Sequence, residues 1–182
     1  SDAVMFSVPS YTASKIIQSI DTDFSKVLGS IYYPPVAEIV LGYRKEQILR
    51  VLDGFGYLIP AKEKRKILGT IWSSTLYPNR TPDGCESFTT FIGGSRNPEL
   101  MNHDDDTLLQ ITNSEVKSII GINGEPVYKK LIRWDKAIPQ YKLGYSKMLE
   151  SMDKFELNFP GAFICSNFRG GIAVGDCVMS AG

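Results

Sequence analysis

The sequence predicts an α+β fold. A mixed or antiparallel sheet carries helices on one side, and pieces of an α/β layer flank it at both ends. Three observations predict this. Strand-like runs separated by turn formers fill residues 34–94. Two stretches, 104–120 and 145–155, repeat apolar residues at helical spacing. Both termini carry short apolar runs of the kind buried inside an α/β sheet.

The elements follow in order. "AVMFSVPS", residues 3–10, is a near-continuous apolar strand of the kind normally buried on both faces. A central strand as first element suggests a piece of a longer protein. "SYTASKIIQSID" opens on a cap-like Ser10 and puts Ala13, Ile16, Ile17 and Ile20 on one helical face. "PPVAEIVLGY", 34–43, alternates imperfectly as a strand, and "GFGYLIP", 54–60, is a strand with close backbone contacts at its glycines. Charged "AKEKRK" is a solvated connection. Strands over 67–74 and 86–94 are joined by the turn-rich "TLYPNRTPDG".

Three aspartates, Asp104 to Asp106, open the helix of 104–120, where acids suit the positive end of the dipole, and Gly121 stops it. Residues 126–134 are a strand, and 145–155 a helix with Met148, Leu149, Met152 and Phe155 on one side. The chain closes on "FPGAFICSNFRGGIAVGDCVMSAG": a strand over 161–166, a turn with two glycines, and a helix from about Ile172. Its glycines let a ligand approach the backbone, and a helix start offers free N–H groups. Two separate ends around a sheet-rich middle suggest a small domain inserted into a nucleotide-binding domain, with segments 1–29, 30–142 and 143–182.

Twenty basic and twenty acidic residues cancel, which argues against a general nucleic-acid binder. Charged residues at 22% and hydrophobic ones at 43% describe an ordinary globular chain. Three cysteines, Cys85, Cys165 and Cys177, show no zinc or disulfide spacing, which favours a reducing compartment. No apolar run is long enough to span a bilayer. The single histidine, His103, stands beside the acidic helix start and reads as a surface or capping residue. No zinc, EF-hand, Walker A or G-x-G-x-x-G pattern occurs, and the pairs Gly93-Gly94 and Gly170-Gly171 do not substitute. Catalytic side chains and metal ligands are therefore expected to be none.

Five segments in order, "GFGYLIP", "LGTIWSSTLYPNRTP", "TTFIGGSRNPEL", "IRWDKAIPQYKLGY" and the closing stretch, together resemble the protoporphyrinogen oxidase family. These are flavoenzymes of the amine oxidase superfamily, and the resemblance covers nearly the whole chain. It implies flavin-dependent oxidation of protoporphyrinogen or coproporphyrinogen in haem biosynthesis, by successive hydride transfers to the flavin, with oxygen as acceptor. It also implies an FAD-binding part upstream of Ser1, so that residues 1–29 and 143–182 are remnants of the FAD domain and 30–142 the substrate domain. FAD is expected in the full-length parent and not in this fragment, which is expected to be inactive.

By resemblance, Trp134, Ile172, Ala173 and Val174 contact the cofactor, and Phe55, Gly56, Leu58, Ile71 and Phe91 line the substrate pocket. Strand alternation puts Phe91 with Thr89 on the pocket side and Ile92 with Thr90 in the core. The partners expected are a porphyrinogen and no nucleic acid, with peripheral membrane association of a cytoplasmic parent and self-association of the fragment through its apolar ends. An amine oxidase or desaturase of the same superfamily, or a non-enzymatic apolar-ligand or interaction module, are the alternatives.

Overall fold

The computed structural model describes residues 2–180; residues 1, 181 and 182, parts of the predicted segments 1–29 and 143–182, lie outside the described residues. In chain order the elements are β1 (Val4–Phe6), α1 (Ser10–Ile17), α2 (Thr22–Gly29), β2 (Val36–Arg44), β3 (Gly56–Leu58), β4 (Ile67–Trp72), α3 (Ser73–Leu76), β5 (Cys85–Gly93), α4 (Asp105–Ile120), β6 (Tyr128–Trp134), α5 (Tyr145–Asn158), β7 (Ala162–Ile164) and α6 (Val174–Met179). They divide into two compact units. One combines the chain up to 33 with the chain from 138 onward; the other is 34–137.

The 34–137 unit is built on a five-stranded sheet in the order β3-β4-β5-β2-β6, with every neighbouring pair antiparallel. One face is core. Ala37, Ile39, Leu41 and Tyr43 of β2 and Phe88 and Ile92 of β5 are buried with Leu108, Val116 and Ile120 of α4. Such alternation is what an antiparallel sheet covered on one side requires. The buried hydroxyls on that face satisfy one another: Thr70 Oγ1 lies 3.0 Å from both Tyr57 Oη and Thr90 Oγ1. Helix α4 starts as the aspartates predict. Asp104 Oδ1 accepts the Thr107 N–H at 2.7 Å, which holds its carboxyl below the usual range, and Gly121 ends the helix in left-handed conformation. Opposite α4, a register shift between Ile67 and Gly69 fits β4 onto β5.

In the other unit β1 and β7 pair in parallel, with Val4, Met5 and Phe6 opposite Ala162, Phe163 and Ile164. Its core joins Ala13 and Ile17 of α1, Phe24 and Leu28 of α2, Met152 and Phe155 of α5, and Phe168. Phe24 and Phe155 stack with ring centroids 4.5 Å apart. Strand β1 carries exposed apolar surface, as expected of the fragment's ends: Val4 and Met5 are about half exposed and Phe6 is buried, because the described residues give it one neighbouring strand. Helix α2 is not anticipated by the sequence reading; Asp21 caps it, its side chain accepting the Phe24 N–H at 2.9 Å.

Candidate functional site

The second face of the five-stranded sheet is open. Directly opposed residues of an antiparallel ladder point to the same side, so register defines rows on this face. One row runs Leu58, Gly69, Phe91, Glu38, Ile132. The next runs Gly56, Ile71, Thr89, Val40, Lys130. On the other side of the first row, Trp134 shares a row with Val36 and Gly93.

Four of the five predicted substrate residues, Gly56, Leu58, Ile71 and Phe91, therefore stand in two adjacent rows, and Trp134 is on the same face. Phe55 lies outside the ladder with its side chain largely in solvent; its carbonyl accepts the Trp72 N–H at 3.0 Å. Phe91 is half-buried and Ile92 fully buried, as alternation requires. Gly56 has φ +138°, and a Cβ there would come 2.1 Å from the Thr70 carbonyl oxygen, so glycine is a backbone requirement at this position.

A groove of about 690 Å³ lies on this face, with Ile71 and Phe91 among its walls. Neither Leu58 nor Gly56 lines the groove itself; Leu58 is 88% exposed at its outer end. The loop after α3 closes one side with Tyr77, Arg80 and Pro82, the Arg80 guanidinium lying 5.2 Å over the Tyr77 ring. The polar groups beneath are paired: Ser73 Oγ with Thr89 Oγ1 at 2.7 Å, Lys45 Nζ with Glu86 Oε1 at 3.4 Å, and the Ser74 hydroxyl with Glu86. Apolar walls with a few placed polar groups suit a large ring-shaped ligand.

Among the lining residues that sequence reasoning misses are the charged pair Glu38 and Arg80. Glu38 had a signal, since it is the one acid of β2 and the one charge before the strand's last residue, Arg44. Among the described residues no cluster of metal-binding side chains occurs.

In the other unit, the turn after β7 adjoins a second groove of about 600 Å³, walled by Cys165, Ser166, Asn167, Ile172, Val174 and Cys177. Ile172 and Val174 thus line it together, while Ala173 does not. Arg169 holds the turn. Its guanidinium donates to the Ile164 carbonyl at 2.9 Å, to Asp153 at 2.8 Å and to Glu156, whose carboxylate raises its pKa further. The Ala173 N–H is not free, because Asp176 of the short helix α6 accepts it at 3.1 Å. Asn167 Oδ1 is buried without a hydrogen-bond partner among the described residues. The groove itself is walled mainly by apolar groups, which suits a planar, largely apolar isoalloxazine.

Residues 1–181 match the family described as flavin containing amine oxidoreductase. The chain is 38% identical over 98% of its length to protoporphyrinogen oxidase 2, chloroplastic/mitochondrial, of Arabidopsis thaliana, covering 36% of that protein. It is 36% identical to the mitochondrial protoporphyrinogen oxidase of Nicotiana tabacum, over the same shares. It thus spans about a third of the length of these relatives. A solved structure from Exiguobacterium sp. 255-15 superposes with a TM-score of 0.80 at 19% identity, over all of this chain and 39% of that one, which shows a shared fold.

Proposed function

Because the chain belongs to the flavin-containing amine oxidoreductase family, we propose that it is part of a porphyrinogen oxidase that converts protoporphyrinogen or coproporphyrinogen to the porphyrin in haem biosynthesis, with oxygen as acceptor. The observation that carries this reading is the open sheet face. It holds Gly56, Leu58, Ile71 and Phe91 in two adjacent rows above a covered core. A macrocycle laid on that face meets apolar side chains, while Gly56 and Gly69 let β3 and β4 pack closely at its edge. Electron uptake is supplied by the flavin when bound. The chain's own part is to bind and orient: Phe91 and Ile71 as a floor, Trp134 at the end of β6, and the 166–173 turn, braced by Arg169, as a flavin contact through Asn167, Ile172 and Val174. The two ends of the chain then belong to the FAD domain and the sheet to the substrate domain.

By itself the 182-residue chain is proposed to be inactive, to hold no FAD, and to self-associate through the exposed apolar residues Val4, Met5, Phe163, Val178 and Met179. The parent is proposed to be cytoplasmic and to associate peripherally with a membrane; fractionation of cells tests this.

The deciding experiment supplies reduced protoporphyrinogen and coproporphyrinogen in turn to the FAD-loaded full-length protein and follows porphyrin fluorescence with oxygen uptake. Porphyrin formation well above autoxidation supports the reading. Oxidation of amines with no effect on porphyrinogens would replace it with the amine oxidase alternative.

A further inference from the structure

Glu38 is the anomaly of the open face. It stands between Phe91 and Ile132 in the central row, on a strand whose other open-face residues are Val36, Val40, Gly42 and, at its far end, Arg44. Its side chain is half-buried and lines the groove. Among the described residues no hydrogen bond or ion pair satisfies it. Lys130, one row along on the same face, makes no ion pair with it, and the other groove acid, Glu86, is already held by Lys45 and Ser74. The Glu38 carboxylate therefore offers the groove acceptor oxygens that no protein donor occupies, and a ligand lying there can supply the partner.

We propose that Glu38 is a specificity-determining residue that accepts hydrogen bonds from the inner pyrrole N–H groups of the bound macrocycle. This rests on the porphyrinogen reading and adds the orientation of the ring to it. Directly opposed side chains on a ladder start roughly 5 Å apart. A ring stacked on Phe91 must therefore extend over Glu38 on one side and toward Leu58, across Gly69, on the other. The groups a puckered porphyrinogen can turn toward such a point are its central N–H donors, which a planar porphyrin keeps in the ring plane. The porphyrinogen's carboxylate arms are repelled by Glu38 and directed to the rim, where Arg80 stands.

The test uses full-length, FAD-loaded protein and two probes: protoporphyrinogen, whose puckered ring can turn its N–H groups to one face, and planar nickel(II) protoporphyrin, which has none. Binding is read as KM for the first and by quenching of intrinsic fluorescence for the second. Glu38→Val is expected to weaken the porphyrinogen about tenfold or more, since hydrogen bonds to charged groups are the stronger kind, and to leave the nickel complex unchanged. Glu38→Gln, which keeps an acceptor oxygen, is expected to fall between wild type and Glu38→Val. FAD content and the circular dichroism spectrum check that each variant folds. Equal weakening of both probes, or of neither, would overturn the role of Glu38 while leaving the porphyrinogen reading standing. Wild-type protein that binds neither probe would overturn that reading, and the role of Glu38 with it.

Discussion

Leu58 and Phe91 stand in one cross-strand row with only Gly69 between them, and the space a side chain would occupy there is taken by Leu58 and the β3 backbone. A Cβ on Gly69 would come 2.6 Å from the Tyr57 carbonyl oxygen and 2.9 Å from Leu58 Cδ2. Gly69→Ala is therefore expected to push β3 away from β4, at a cost of roughly 1–3 kcal/mol. In full-length enzyme it should also raise KM for the macrocycle. Denaturant titration and steady-state kinetics measure the two effects.

The two faces of β5 are expected to respond differently to truncation. Ile92 is fully buried against the α4 side, so Ile92→Ala should cost about 2–5 kcal/mol in denaturant midpoint experiments. Phe91 already meets solvent at the groove, so Phe91→Ala should cost less than about 1.5 kcal/mol and appear chiefly as weakened macrocycle binding. Equal stability losses would mean that the groove closes over Phe91.

Alkaline pH should find Tyr43. Burial first, and the nearby Glu125 carboxylate second, push its pKa far above the ordinary 10.0, and its hydroxyl donates to Asn113 Oδ1. The folded state thus keeps a proton that the unfolded state releases near pH 10. The stabilisation is fully present below that pH and is lost progressively as pH rises through the folded value. Tyr43→Phe is expected to be less stable at neutral pH and to show a shallower alkaline decline. Thermal melts from pH 8 to 11 would show the two proteins converging.

Arg169 should matter locally before it matters globally. Its links to Asp153, Glu156 and the Ile164 carbonyl tie the 166–173 turn to α5 and β7. Arg169→Gln is expected to speed amide exchange across residues 162–172 by an order of magnitude or more. Arg169→Lys should restore part of the protection, because a single ammonium cannot reproduce the fork of donors. Unchanged exchange in the glutamine variant would show that the turn is held by its backbone alone.

The sequence made some of this legible and hid the rest for physical reasons. Helix α4 was readable because its signals are local: Asp104 at the cap, acids in the first turn, Gly121 at the stop. The outward side of Phe91 followed from alternation, which needs only one strand. Helix α2 escaped because "DTDFSKVLG" is short and opens on residues that serve turns as well as caps, so Asp21 alone could not decide it. The rows on the open face could not be read at all. They depend on which strands pair and on the register shift at Ile67/Gly69, and both are long-range choices. Glu38 was visible as the one acid of β2, yet its exposure to a groove became apparent only once α4 was seen to cover the opposite face.

The pairing of Phe6 with Ile164 also fixes an order of events during synthesis. Every strand contact of the 34–137 sheet closes within that segment, so it has all its partners once Trp134 has left the ribosome. Strands β1 and β7 flank that segment in the chain, so their pairing forms only after the whole sheet has been made, across a long closing loop. A nascent chain stalled once residue 137 has left the ribosome is thus expected to hold a finished sheet and a β1 still without β7.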